Sequence, residues 1–316
     1  MSVYLGFPSH PNRDLPSFYA SNHFKGFPEY LTDYKKAYIT VSNPLFDHTL
    51  PFVQKFFGDD WITTAGTEMI EGESDSLGMD EVIKFLKKMP SNTSPNDTSW
   101  FLMYNTTAMH IPFFGYPDNF ADKPQDPMQR YRNALRYTDK QFGRLLAELK
   151  TRDDYKNTVI IILGDHDTPV DSVDYAYPQP LGVSAAQIFM GIFSPDSSLF
   201  NGLEIREDVA SQLDIAPTIL DLAQVRSPNH FWGYDLLKDK RPAEQPTLFF
   251  SQNAYLLGFR DSILTGGLTN SQVYKGINGT WSLAGDELSQ TYRQNAIGAS
   301  EVLRALLRND KMTGDK

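Results

Sequence analysis

Asn157-Thr158-Val159-Ile160-Ile161-Ile162-Leu163-Gly164-Asp165-His166-Asp167 decides how the rest of this chain is read. A continuous apolar run, Val159 to Leu163, stops at a glycine and three ionisable residues. A run of that length, rich in β-branched residues, reads as a strand buried on both faces, as in a parallel sheet. Open α/β sheets bind ligands just beyond the carboxyl ends of such strands, so Asp165 and His166 fall at the rim where chemistry occurs. A carboxylate beside an imidazole is a donor pair suited to Zn or Mn. The plainer reading, a capping aspartate and a surface histidine, is equally open on spacing alone.

Moving outward, Tyr131 to Lys150 has the strongest helical period in the chain, with Leu135, Phe142, Leu145, Leu146 and Leu149 near one face. Before it, Trp100-Phe-Leu-Met-Tyr-Asn reads as a second buried strand, followed by a polar loop that carries His110. After it, Ala186 to Phe193 reads as a third strand, and Leu213 to Ala223 as a helix with Asp214 at its N-cap and Pro217 in its first turn. Nearer the start, Lys36 to Ser42 reads as a strand ending at Asn43, Asp47 and His48. Short helices are expected over Glu29–Tyr34, Leu50–Trp61 and the stretch around Asp80–Lys88. Beyond Pro246 the pattern becomes short strands with glycine turns, closed by a helix from Ala299 to Arg308.

This alternation implies an α/β fold: a mostly parallel, doubly wound sheet flanked by helices over residues 1–245, with a small α+β subdomain over 246–316. The 316 residues allow one large domain or a domain plus an appendage. A net charge of −10 argues against a nucleic-acid partner. With no cysteine, disulfides, thiolate metal sites and a cysteine nucleophile are excluded. No apolar run approaches the length of a membrane span.

Three expected strand ends present polar groups: Asn43/Asp47/His48, His110, and Asp165/His166. A fourth cluster, Ser9 to Arg13, lies on a loop leading into a short helix. Together they offer a hydroxyl, a guanidinium, a metal-ligand pair and a histidine. That set suits displacement at tetrahedral phosphorus or sulfur, where a metal neutralises oxygens and lowers a hydroxyl's pKa. Arginine grips the same oxygens bidentately, and a histidine serves the leaving group.

These residues carry a resemblance. Ser9-His-Pro11-Asn-Arg13 resembles the Cys/Ser-x-Pro-x-Arg signature of the sulfatase family. Tyr104 to Phe113 resembles its strand and histidine loop, and Tyr131 to Leu149, with Asp139 and Gly143, the helix that follows. Asn157 to His166 is similar to its Asn-Thr-…-Asp-His-Gly strand, and Val209 to Ala223 to its Asp-x-x-Pro-Thr helix. Five motifs in order, over roughly residues 3 to 240, place the resemblance in the alkaline-phosphatase/sulfatase superfamily. It implies Ser9 as nucleophile and metal neighbour, and Asp165 and His166 as ligands of one divalent ion (Mn, Zn, or Ca/Mg). It also implies His110 at the substrate, Arg13 steadying the anion or the nucleophile, and a phosphate or sulfate ester, small or linked to lipid or glycan, as partner.

The sequence departs from the family in three places. No strand ending in an acidic metal ligand precedes Ser9, which implies an upstream segment outside this sequence; a site short of one carboxylate holds metal weakly. Asp167 replaces the usual glycine. No lysine falls between Lys156 and Lys238 or close to Asn43, which thins the cationic pocket that a sulfate ester needs. The balance moves toward the phosphotransferase branch, resembling lipoteichoic acid synthases and phosphoethanolamine transferases, with an unmodified Ser9. Two alternatives stand: a formylglycine sulfatase with Ser9 oxidised, and an inactive domain kept for binding. The resemblance also implies an extracytoplasmic site at the cell envelope, with a membrane tether only if an upstream segment exists.

Overall fold

Strands and helices alternate as far as Leu222, after which the chain turns to hairpins. The computed structural model describes residues 2–10, 13, 15–43, 49–63, 74–91, 98–121, 126–166, 188–200, 202–206, 209–238, 241, 245–251, 254–258, 263–267, 274–277, 280–283 and 285–313. Two short helices, α1 (Ser2–Leu5) and α2 (Leu15–Tyr19), open the chain, and a 3-10 turn over Phe27–Tyr30 stands where a short helix is expected at Glu29–Tyr34. β1 (Tyr34–Thr40) is central to a three-stranded parallel sheet, with β2 (Trp61–Thr63) on one side and β3 (Ser99–Asn105) on the other. Parallel neighbours need crossovers. α3 (Leu50–Phe57) and α4 (Ser74–Lys88) supply helices for them. Pro51 sits in the first turn of α3, where its missing N–H costs nothing, and Gly58 ends the helix at φ +62°.

α5 (Pro127–Leu149) starts earlier than its apolar period indicates. Asp126 caps it, accepting from the Met128 amide at 3.0 Å, and Pro127 follows at the first helical position. Its buried face is Asn133, Ala134, Tyr137, Gln141 and Leu149. Leu135, expected on that face, is 45% exposed, because one residue turns the helix by about 100° away from Ala134.

The apolar run does form a strand, β4 (Ile160–Leu163), but its described partner is antiparallel: β5 (Met190–Phe193), with Ile160 opposite Phe193 and Leu163 opposite Met190. Its side chains are half-buried rather than sealed on both faces. Ala186 and Gln187, expected to open β5, lie outside the described residues. A 3-10 turn over Gln212–Asp214 leads into α6 (Ile215–Leu222).

Asp214 does not cap α6 with its side chain. Ser211 caps the 3-10 turn, accepting from the Leu213 amide at 3.2 Å, which leaves the Asp214 carboxylate to other partners. Asp214 is fully buried; it accepts from the amides of Ser211 (2.8 Å) and Tyr234 (2.7 Å) and meets Arg241 Nη2 at 2.5 Å. Burial without such partners would be prohibitive for a carboxylate.

The C-terminal strands form one antiparallel sheet in the order β10-β9-β8-β7-β6: β6 (Thr247–Ser251), β7 (Ala254–Gly258), β8 (Ile263–Gly267), β9 (Tyr274–Ile277) and β10 (Thr280–Leu283). α7 runs from Asp286 to Arg308, beginning well before the expected Ala299; Gly298 and the polar residues before it mask its period in sequence. Its Ala296, Leu303 and Leu307 join Phe250, Leu257 and Leu264 in the same core cluster as Leu5, Phe7, Phe27 and Phe56. The segment after residue 246 therefore shares apolar core with the opening of the chain.

Candidate active site

The rim of β4 is built from its own last residues and one side chain of a neighbouring turn. Gly164 continues the ladder, donating to the Phe189 carbonyl at 3.0 Å. The chain then bends, and the Asp165 carboxylate accepts from the His166 amide at 3.0 Å. Gln212 Nε2 donates to the carbonyls of both Gly164 (3.1 Å) and Asp165 (2.9 Å), tying the bend to the turn that starts α6. Asp165 Oδ2 and His166 Nε2 stand 3.6 Å apart with side chains 85% and 63% exposed, so both donors face solvent. Asp167 lies outside the described residues.

His110 belongs to a loop held from beneath by Asp75. This fully buried carboxylate, on α4, accepts from the amides of Thr107 (2.9 Å) and Ala108 (3.2 Å) and from the Thr138 hydroxyl on α5 (2.9 Å). Tyr104 Oη donates to the Asp75 carbonyl at 2.8 Å. Burial pushes the Asp75 carboxyl above its ordinary pKa, and these donors only partly oppose that. The loop then folds back on itself: His110 N donates to the Thr107 carbonyl and Phe113 N to the His110 carbonyl, each at 2.8 Å. Phe113 takes φ +68°, uncommon for a bulky side chain, with its ring buried edge-on to Tyr131. Gly115 presses so closely that a Cβ there would lie 2.3 Å from Ala108 Cα.

His110 itself is exposed, with Nδ1 2.7 Å from the Ile111 carbonyl. A carbonyl only accepts, so Nδ1 carries the hydrogen and Nε2 is the ring's acceptor nitrogen.

Ser9 is half-buried, and its hydroxyl donates to the Phe250 carbonyl at 3.4 Å. Arg13 is exposed, with its guanidinium 5.1 Å from the Phe18 ring centroid. Between them His10 is buried, and its pKa is lowered to about 4 by that burial and by the charges of Arg304, Arg13 and Arg308. His10 is therefore neutral at pH 7. Asn43 lies half-buried just past β1, whereas Asp47 and His48 fall outside the described residues. The fold thus sets Asp165 and His166 side by side, while the contacts of Ser9, Arg13 and His110 run to Phe250, Phe18 and Ile111.

By donor type, Asp165 and His166 suit a borderline or hard divalent ion. Among the described residues no group of three or more His, Asp or Glu is placed to hold one, so the pair alone is a partial ligand set.

Two residues of this region escape a reading of the sequence. Asp75 looks like a first-turn acid favoured by the helix dipole, and only the packing of three elements around it gives it another task. Gln212 has no sequence signal at all, since its bonds go to backbone carbonyls on a distant strand.

Residues 12–225 match the model of the sulfatase family. The chain is 26% identical over 204 residues to a lipoteichoic acid synthase-like protein, YvgJ, of Bacillus subtilis, covering 60% of this chain and 32% of that protein. It is 26% identical over 195 residues to a lipoteichoic acid synthase of Staphylococcus saprophyticus, covering 58% and 30%. The matches thus span about a third of each relative's length. Two crystal structures share the fold. One is an alkaline phosphatase superfamily protein from Vibrio parahaemolyticus (TM-score 0.72, 20% identity, 99% of this chain and 75% of the other). The other is the lipoteichoic acid synthase LtaP from Listeria monocytogenes (TM-score 0.71, 19% identity, 98% and 78%). With a strand-end Asp-His pair, a histidine loop after β3 and a family match over most of its length, the chain belongs to the sulfatase family.

Proposed function

We propose that the domain performs displacement at phosphorus, as a phosphoester transferase or hydrolase acting on a lipid- or glycan-linked ester of the cell envelope. The observation that supports this most is the exposed Asp165–His166 pair at the carboxyl end of β4, in a sulfatase-family chain whose relatives include lipoteichoic acid synthases. The lysine-poor stretch from Asn157 to Leu237 favours phosphate over sulfate.

Asp165 and His166, with Ser9 as a further ligand, would hold one divalent ion, whose chemistry is to neutralise the non-bridging oxygens. Ser9 Oγ forms a bond to phosphorus as the bond to the leaving alcohol's oxygen breaks; His110 Nε2 takes Ser9's proton and gives it to the departing oxygen. Water or an acceptor alcohol then attacks phosphorus, the bond to Ser9 Oγ breaks, and His110 Nε2 passes the attacking oxygen's proton to Ser9 Oγ, which restores the serine. Arg13 contributes charge at the phosphoryl oxygens, and Asn43, Asp47 and His48 contact the substrate. We place this chemistry outside the cytoplasm. Among the described residues no helix is long and apolar enough to cross a membrane, so a tether, if the whole protein has one, lies outside the described helices.

Elemental analysis after loading with Mn or Zn should show metal in the wild-type chain and its loss in Asp165→Ala. Cleavage of bis(4-nitrophenyl) phosphate should exceed that of 4-nitrophenyl sulfate and vanish in Ser9→Ala. Metal retained undiminished by Asp165→Ala would overturn the ligand assignment, and preferential sulfate cleavage would overturn the choice of phosphorus.

A further inference from the structure

The last helix of the chain is cationic where the chain as a whole is acidic. From Arg293 to Arg308, α7 carries three arginines against a single acid, Glu301, in a chain of net charge −10. Arg293, Ser300 and Arg304 stand seven and four residues apart, so they share one face. The adjoining stripe, Ala296, Leu303 and Leu307, belongs to the same core cluster as Tyr255 of β7 and Tyr19 of α2.

Two segments close on that face. The Asn22 side chain donates to the Leu307 carbonyl at 2.6 Å, and His23 is bound through its amide (2.6 Å) and its ring to Asp310. These bonds bring the stretch after α2 against the end of α7. There the His10 and Tyr19 rings lie 5.8 Å apart, and the Arg304, Arg13 and Arg308 charges reach His10. From the other side, Tyr255 stands within range of the Arg293 charge. Its cross-strand partner is Phe250, whose carbonyl accepts from Ser9 at 3.4 Å. α7, the β6–β7 hairpin and the loop carrying Ser9 and His10 thus meet around these arginines.

Tyr19 Oη, Tyr255 Oη, Ser300 Oγ and the Nε atoms of Arg293 and Arg304 are all buried and make no hydrogen bond among the described residues. They are five of the nine such side-chain atoms among those residues, so most of this deficit falls on one helix and its neighbours. Tyr19, Tyr255 and Ser300 are 6%, 1% and 2% exposed, where a polar atom without a partner is costly. The chemistry of the set is one-sided. An arginine Nε–H only donates, and a hydroxyl can donate as well as accept. Glu301 accepts from Arg304 at Nη1 (3.0 Å) and not at Nε. Five donors beside guanidinium charges call for an anion with several acceptor oxygens. A carboxylate brings two; a phosphate group brings three or four, tetrahedrally placed.

We infer that α7 and the loop carrying Ser9 frame a binding site for a phosphate oxyanion, held by Arg293, Arg304, Tyr19, Tyr255 and Ser300. Its oxygens accept from the two Nε–H groups and the three hydroxyls, and the arginines offset its charge. The site uses no metal and stands apart from the roles proposed for Asp165 and His166.

Calorimetry on the whole chain, stripped of metal with EDTA, tests this with inorganic phosphate and methyl phosphate as probes and potassium chloride at matched ionic strength as control. At about ten times its Kd, phosphate should raise the melting temperature by roughly 2 °C over the chloride control. Arg304→Met and Arg293→Met should each weaken binding by about tenfold or more. Tyr255→Phe removes one oxygen and nothing else. Without phosphate it should melt no lower than wild type, since it deletes a buried group that lacks a partner, yet it should bind phosphate about threefold more weakly. Asp165→Ala should bind as wild type does, which separates this site from the proposed metal pair. Tighter binding of methyl phosphate would mark the natural ligand as a phosphoester, and tighter binding of the inorganic ion would mark it as free phosphate; either supports the site. A shift matched by chloride, no heat from either probe, loss of binding in Asp165→Ala, or undiminished binding in Tyr255→Phe would overturn it and leave these groups to buried water.

Discussion

Replacing Asp75 tests whether one buried carboxylate holds the His110 loop. In Asp75→Ala the amides of Thr107 and Ala108 lose the oxygen that accepts from both. Each such loss costs about 1–3 kcal/mol. The Thr138 hydroxyl can turn elsewhere, and removing a buried charge returns part of the total, since burial raises the Asp75 pKa. The expected net loss is about 3 kcal/mol, or roughly 6 °C in melting temperature for a chain of this size. Asp75→Asn keeps an oxygen for the two amides and offers an NH₂ to Thr138, so it should cost less than about 1 kcal/mol.

The pH dependence has a definite sign. A carboxyl with a raised folded pKa contributes stability that is full below its unfolded value and declines as pH rises through the folded one. The gap between wild type and Asp75→Asn should therefore narrow from pH 4 to pH 7. Urea melts across that range, with hydrogen exchange at Thr107 and Ala108, supply the measurements. An alanine variant within about 1 kcal/mol of wild type, or an asparagine variant as damaged as alanine, would refute the reasoning.

Four further outcomes are expected. Burial pushes the Asp154 carboxyl up, but the bidentate bonds from Arg152 (2.9 and 2.8 Å) and the bond from Trp100 outweigh it and hold the pKa below the usual range. Its stabilisation is therefore present above about pH 4 and lost as pH falls through the lower folded value; Arg152→Met should flatten that acid limb in melts from pH 5 to pH 2. Two glycines should respond with opposite signs: Gly233→Ala, whose Cβ would lie 2.0 Å from the Leu213 carbonyl oxygen, should destabilise by about 2–3 kcal/mol, while Gly143→Ala, in open space on α5, should stabilise by about 0.5–1 kcal/mol. Gln212→Leu should loosen the β4 rim, raising hydrogen exchange at Asp165 and His166 while leaving the melting temperature within a few degrees. Intact-mass measurement of a peptide containing Ser9 should show an unmodified serine; an aldehyde hydrate would transfer the chain to the formylglycine sulfatases.

Local pattern carried much of the fold. The run Val159–Leu163 and the stretch from Trp100 mark strands because a five- to seven-residue apolar run can be satisfied in few other ways. α5 is legible from its period, and its start from Asp126-Pro127 once a cap is sought. The strand-end positions of His110, Asp165 and His166 follow from the same punctuation, since a polar group just past an apolar run must sit at a sheet edge. What a strand pairs with is another matter. An apolar run does not encode its partner, so the antiparallel β4–β5 pairing belongs to tertiary structure alone. The same holds for Asp75, Asp214 and Gln212. Asp75 and Asp214 read locally as helix-end residues and Gln212 carries no signal, and each is assigned its task by backbone amides, carbonyls or an arginine that lie far away in sequence. The sequence by itself determined which segments become strands and helices and which ionisable residues stand at their ends, because those depend on neighbours within a few residues. Only the tertiary structure decided which ends meet, because a buried hydrogen-bonding group must find its partner wherever packing brings one.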